Sequence, residues 1–153
     1  MARVIASLLL MVLLSSCVKN NIEPEYPIEI AGKFQVEYNE VKVLADAVYN
    51  DGILTVNVES PVMQFVISKT NIKVISNGLQ LTYNNNELDD FCPFMYLYES
   101  LLQLNNDKPQ FEFNGDFYRS ELDCSGNKCE VYLNKDRLLS KIKYKNLIFD
   151  FGL

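Results

Sequence analysis

The sequence predicts a mainly β protein of the α+β class, with a curved antiparallel sheet or half-barrel of about 10–11 short strands and one helix packed on its concave face. Apolar and polar residues alternate over most of the chain from residue 34 onward. Hairpin dipeptides interrupt this alternation at Asp51-Gly52, Asn77-Gly78 and Asn114-Gly115. Only one segment has helical periodicity, and no helix separates successive strands, so a parallel βαβ architecture is excluded.

Six strands are predicted before the helix. Phe34–Tyr38 and Val41–Tyr49 alternate strictly, with Lys42 and Asp46 on the polar face of the second strand. The other four are predicted at Leu54–Val58, Gln64–Ser68, Ile72–Ile75 and Leu79–Tyr83. Their turn-to-turn spacing is typical of an antiparallel meander.

The helix is predicted from an apolar stripe at i, i+3, i+4, i+7 and i+8, formed by Phe94, Leu97, Tyr98, Leu101 and Leu102. Asp89 or Asp90 is the expected N-cap, Pro93 suits the first turn, and residues 105–107 end the helix. Such a stripe either plugs the core or forms a lid over a cavity, and both alternatives stay open at this point.

Five strands are predicted after the helix, at 111–113, 117–122, 131–133, 142–144 and 147–151. Small alanines in the second strand face large aromatics in the last one, which indicates uneven filling of the interior. Leu79 and Leu81 are also expected to point inward. The residues expected to line an apolar-ligand site are Val43, Ala45, Ala47, Val56, Val58, Leu97, Leu101, Phe149 and Phe151.

The N-terminus has the pattern of a secretory signal. Arg3 precedes an apolar run over residues 4–14, and Leu14-Ser15-Ser16-Cys17 follows. The run is too short to span a bilayer. The tetrapeptide resembles the bacterial lipobox, whose cysteine becomes the lipidated first residue of the mature protein; the alternative is a chance cysteine after an ordinary signal peptide. The predicted organisation is a lipoprotein signal peptide at 1–16, a lipid-anchored tether at 17–33 and a β domain at 34–153.

The chemistry of Cys17 fits a lipid anchor, because a thiol forms a stable thioether to a diacylglyceryl group. Each buried CH₂ contributes about 0.8 kcal/mol, so two acyl chains hold a protein to a membrane where one barely does. The expected location is therefore the extracytoplasmic face of the cell membrane, with the membrane as a partner through the N-terminal lipid.

Composition restricts the function further. The chain has 20 acidic and 14 basic residues, a balance that argues against nucleic-acid binding and against electrostatic docking to anionic lipid, since both need basic patches. It has no histidine, which excludes Ser-His and Cys-His nucleophiles and His-ligated zinc. Glu87, Asp89 and Asp90 are interpreted as solvated or capping carboxylates. Neither an enzyme, a cofactor nor a metal site is expected.

The cysteines of the mature domain are expected to differ in state. Cys124 and Cys129 flank a four-residue turn, and thiols outside the cytoplasm tend to oxidise, so a disulfide between them is predicted. Closing so small a loop would contribute about 2 kcal/mol. Cys92 is expected to pack as a small hydrophobe near the helix start, the alternative being a free reactive thiol.

The order of elements resembles the LolA-like superfamily, in particular its small lipoproteins from Gram-positive bacteria. The resemblance is carried by Ala45-Asp46-Ala47, Asp51-Gly52, Val58-Glu59-Ser60-Pro61, the Gly78–Tyr83 strand, the helix at Phe94 and the ending Ile142–Asn146, and it covers residues 34–151. It implies a half-barrel whose concave face binds an apolar ligand, either a lipid or a lipidated partner. The alternative is an envelope lipoprotein that carries nothing and presents a protein-interaction surface.

Overall fold

The computed structural model describes residues 21–85 and 92–153. Within these ranges the chain forms one curved, unclosed antiparallel sheet of twelve strands and a single α-helix. The strands are β1 (Asn21–Ile22), β2 (Ile30–Tyr38), β3 (Val41–Asn50), β4 (Ile53–Val58), β5 (Met63–Ile67), β6 (Asn71–Ser76), β7 (Leu79–Asn84), β8 (Phe111–Phe113), β9 (Tyr118–Cys124), β10 (Asn127–Leu133), β11 (Leu139–Tyr144) and β12 (Leu147–Asp150). The helix α1 is Pro93–Asp107.

The sheet consists of two meanders, and the first strand of one pairs with the last strand of the other in the middle of the sheet. Strands β2 to β7 pair in sequence order, as do β8 to β12. The last strand, β12, pairs with β2, with Phe149 opposite Val36. The edges of the sheet are therefore β1, which pairs with β8, and β7.

The fold class predicted from the sequence is confirmed as a mainly β, curved antiparallel sheet with one helix in the described part of the chain. All eleven predicted strands are present near their predicted positions. The additional strand is β1, whose two residues are too few to show a period-2 pattern.

The core lies between the concave face and the buried side of α1. Leu97, Leu101 and Leu104 are completely buried. Phe94 packs between Phe34 and Phe65, with ring centroids 6.3 and 5.0 Å away. Because these leucines occupy the middle of the concavity, α1 is a core element along this part of its length.

Helix α1 begins after Cys92, the N-cap residue, whose side chain makes no capping hydrogen bond, and Pro93 occupies the first turn as predicted. Asp89 and Asp90, the expected caps, lie outside the described residues. The helix ends where Lys108 adopts φ 47° and donates its N–H to the Leu104 carbonyl, 3.1 Å away. No helix in the described ranges is long and apolar enough to cross a membrane.

Residues 21–33, the described part of the predicted tether, make contacts with the domain predicted at 34–153. Asn21 and Ile22 pair with β8, and Ile28 is only 8% exposed. The Tyr26 hydroxyl donates to the Pro109 carbonyl at 2.9 Å. The segment crosses from one edge of the sheet to its middle, so it has no strand period that the sequence could reveal. Residues 1–20, including Cys17, lie outside the described residues.

Leu79 and Leu81, which were expected to point inward, lie in strand β7. They pair with Ser76 and Val74 and so belong to the concave side by register, but they are 74% and 56% exposed. Strand β7 is an edge strand, and α1 packs mainly on β5, β9 and β11. The two leucines therefore lie on the inward side of the sheet, as expected, but at an edge that the helix does not cover.

Candidate functional site

An apolar cleft of about 640 Å³ lies at the N-terminal end of α1. It is bounded by the ends of β2 and β3, by the β4–β5 connection and by the β11–β12 turn, which the antiparallel registers bring to the same end of the sheet. The apolar side chains that form its walls are Val36, Val43, Val58, Met63, Phe65 and Phe94.

The alternation of side chains along each strand determines which residues form these walls. Val36 is opposite Val43, and Val58 is opposite Met63, so two cross-strand pairs supply one continuous apolar surface. Tyr38 and Val41, at the β2–β3 hairpin, line the cleft and are 49% and 64% exposed. The cleft is therefore accessible from solvent beside this hairpin.

Polar groups are few and concentrated at the β11–β12 turn. Lys145 is the only charged side chain that lines the cleft in the described part of the chain, and its ammonium lies 5.5 Å from the centre of the Tyr144 ring. Burial raises the pKa of Tyr144, which keeps its hydroxyl neutral. Asn146 donates to the Asn39 side chain across the rim at 3.1 Å. An apolar chamber with one cation near its edge suits an amphiphile with an anionic end.

The nine residues expected to line an apolar-ligand site are divided between the cleft and the interior of the domain. Val43 and Val58 line the cleft, whereas Ala45, Ala47, Val56, Leu97, Leu101, Phe149 and Phe151 do not. The first six of these seven are buried in the core, and Phe151 is half-buried and stacked on Phe34 at 5.3 Å. Helix α1 fills the concavity at Leu97 and Leu101, so at these positions it is a plug and not a lid.

Most of the lining residues that sequence reasoning missed lie at strand ends, in turns or at the start of α1. Tyr38, Val41 and Met63 belong to strands that were predicted correctly, and Tyr96 and Tyr144 stack at 4.4 Å beside the cleft. The alternation of apolar residues predicts which face of the sheet these strand residues lie on. It does not predict which end of the concavity the helix leaves uncovered, because that depends on how the helix crosses the curved sheet.

The predicted disulfide between Cys124 and Cys129 is absent, and both are free, buried thiols. In the hairpin, Cys124 is opposite Asn127 and Cys129 is opposite Leu122, so the two cysteines are diagonal and not directly paired. A diagonal separation exceeds the usual disulfide span.

A buried hydroxyl joins the two thiols to the helix instead. The Cys129 thiol donates to the Ser100 hydroxyl at 3.2 Å, and Cys124 lies 3.8 Å from the same oxygen. Ser100 in turn donates to the Tyr96 carbonyl at 2.7 Å. The hydrogen bond with Cys124, together with burial, raises the pKa of the Cys129 thiol, which is therefore protonated at neutral pH.

Cys92 is buried, 5% exposed and unpaired, which confirms its predicted packing as a small hydrophobe. Burial also raises the pKa of its thiol. Glu87, Asp89 and Asp90 lie outside the described residues. Within residues 21–85 and 92–153, no three His, Cys, Asp or Glu side chains converge as metal ligands.

No protein-family model and no curated protein sequence matches the chain.

Proposed function

We propose that this chain is a lipid-anchored protein of the extracytoplasmic face of the cell membrane, with a LolA-like half-barrel that binds an apolar ligand in the cleft. The ligand class is an acyl chain, carried by a lipid or by a lipidated partner. The role is binding, without catalysis, cofactor or nucleic acid. The observation that carries the proposal is the cleft itself, which is apolar, solvent-accessible and of suitable size.

The size and lining of the cleft support an acyl ligand. Small-molecule sites typically enclose about 300–1,000 Å³ and are mostly apolar, and this cleft has about 640 Å³. Apolar burial contributes about 25 cal/mol per Å². Lys145 at the β11–β12 turn can pair with a carboxylate or phosphate at the polar end of the acyl ligand.

The anchor rests on the Leu14–Cys17 tetrapeptide and the apolar run before it. Labelled palmitate supplied to growing cells should be incorporated into the wild-type protein, and Cys17→Ala should abolish the incorporation. Wild-type protein that takes up no label would show that the anchor is wrong.

Native mass spectrometry tests the ligand. The full chain, extracted from cells in a mild detergent, should carry a non-covalent adduct with the mass of a fatty acid or phospholipid. Collisional activation should release the adduct while the acyl groups on Cys17 remain. A protein that never carries an adduct, and that acquires none when incubated with palmitate, would contradict the proposal.

Strand β7 favours a second candidate function, an envelope lipoprotein that presents a protein-interaction surface. It is an edge of the sheet with two highly exposed leucines, Leu79 and Leu81. Edge strands offer unpaired backbone groups to a partner strand. This function would be favoured if the cleft bound no fatty acid while Leu79→Ser and Leu81→Ser removed a protein contact.

A further inference from the structure

Three exposed apolar side chains lie at the end of the sheet opposite the cleft. Phe113, Phe117 and Leu138 are 42%, 39% and 64% exposed. Phe113 and Phe117 bracket the β8–β9 turn, which is closed by a hydrogen bond from the Asn114 N–H to the Phe117 carbonyl at 3.0 Å. The Asn114 side chain also accepts from the Phe117 N–H at 2.9 Å. The two phenylalanines are therefore held at the tip of an ordered hairpin.

Strand register places Leu138 at the same end. Tyr118 is opposite Leu133, and Leu133 is opposite Leu139, so the β8–β9 turn and the β10–β11 turn lie side by side. Lys135 and Arg137 precede Leu138 in the second turn, but Asp136 lies between them and Asp116 lies in the first turn, so the two turns together carry no net charge. What this end of the sheet offers a bilayer is therefore its exposed aromatic and aliphatic side chains, which match the apolar part of the interface.

The proposed anchor is close to this end, and the inference rests on that part of the proposed function. Asn21 is opposite Glu112, the residue before Phe113. Only residues 18–20 separate Asn21 from Cys17. Four residue steps span at most about 14 Å. A lipid on Cys17 would therefore keep the β8–β9 hairpin near the membrane surface.

We infer that Phe113, Phe117 and Leu138 form a membrane-contacting face that orients the domain on the bilayer. These aromatic and aliphatic side chains enter the interface. The lipid anchor supplies proximity and this face supplies orientation.

The orientation determines where the cleft opens. Strand β11 runs from Leu139, at the membrane-contacting end, to Tyr144, which lines the cleft. Six residues of antiparallel strand span about 20 Å. The cleft therefore opens away from the anchoring bilayer, and its ligand arrives from that side rather than directly from the membrane below.

The chain has no tryptophan, so one introduced indole reports on its own surroundings. Phe117→Trp places it in the membrane-contacting face. Leu79→Trp is the matched control, because residue 79 is exposed at the cleft end of the sheet and does not line the cleft. Each full-length lipidated variant is reconstituted into phosphatidylcholine–phosphatidylglycerol vesicles with or without brominated acyl chains.

We expect bromine to reduce the emission of Phe117→Trp by about half or more and to leave that of Leu79→Trp unchanged. Acylation of Cys17 is verified by mass, and fatty-acid binding is measured on the same preparations. An acylated Phe117→Trp protein without quenching, or equal quenching of both variants, would overturn the inference while leaving cleft binding intact. A preparation without the acyl group would refute the anchor and the inference together. Loss of fatty-acid binding alone would refute only the ligand proposal.

Discussion

Asn105 and Ile28 are joined by two hydrogen bonds although they are 77 residues apart in the chain. The Ile28 N–H donates to the Asn105 side-chain oxygen at 2.7 Å, and the Asn105 amide donates to the Ile28 carbonyl at 2.9 Å. This pair attaches the segment before β2 to the last turn of α1. It replaces backbone pairing for a buried residue that belongs to no strand.

Asn105→Ala should lower the free energy of unfolding by about 1–3 kcal/mol, because it leaves the backbone groups of Ile28 without partners. Urea denaturation monitored by tyrosine fluorescence measures the change. Asn106→Ala is the matched control, since Asn106 is the next residue in the helix and its side chain is exposed. This variant should change stability by less than about 0.5 kcal/mol. Equal losses in the two variants would show that the pair does not stabilise the domain.

Leu101→Ala tests whether α1 is a plug. Leu101 is completely buried, so its truncation should cost about 2–5 kcal/mol of unfolding free energy. It should leave fatty-acid affinity unchanged because Leu101 does not line the cleft. Leu102→Ala, at a half-buried position of the same helix, should cost less. A Leu101→Ala protein of unchanged stability that bound fatty acid more tightly would indicate a lid instead.

The strands and the helix could be predicted because their patterns are local. Val43, Ala45 and Ala47 share a face through period 2, and Leu97 and Leu101 share one through helical spacing. The contacts of residues 21–33 with the domain could not be predicted in this way. They are long-range, like that of Tyr26 with Pro109, and the sequence carries no periodic signal for them.

Tyr26 should make stability depend on alkaline pH. Burial, and then the nearby Glu23 charge, raise its pKa to about 12. The unfolded chain loses this proton near pH 10 and the folded chain near pH 12, so the contribution of Tyr26 is complete below about pH 10 and is lost as pH rises toward 12.

Tyr26→Phe removes both this titration and the hydrogen bond to Pro109. At pH 7 the variant should be less stable than wild type by about 0.5–1.5 kcal/mol. The difference in unfolding free energy between wild type and variant should narrow between pH 10 and 12, because only wild type loses the Tyr26 contribution there. Urea denaturation at pH 7, 9, 10 and 11 measures this difference. A difference that stays constant or widens with pH would contradict the assignment.

The site was harder to predict than the fold, for a physical reason. The sequence identified the concave face, and Val43 and Val58 do line the cleft. The volume that remains open is set by the crossing of α1 over the sheet, which leaves the helix start at Phe94 beside an uncovered strand end. The disulfide prediction failed for a similar reason, because the hairpin register offsets Cys124 from Cys129 by two residues.

The central claim is that the cleft binds an acyl chain, and two valines of β3 test it most directly. Val43 lines the cleft, while Val48 is 50% exposed on the opposite face of the same strand. Titration with a fluorescent fatty acid should give saturable binding to wild type and to Val48→Phe. Val43→Phe fills part of the cleft and should weaken the affinity about tenfold or more, equivalent to about 1.4 kcal/mol. No saturable binding to wild type, or the same affinity in Val43→Phe and Val48→Phe, would contradict the claim.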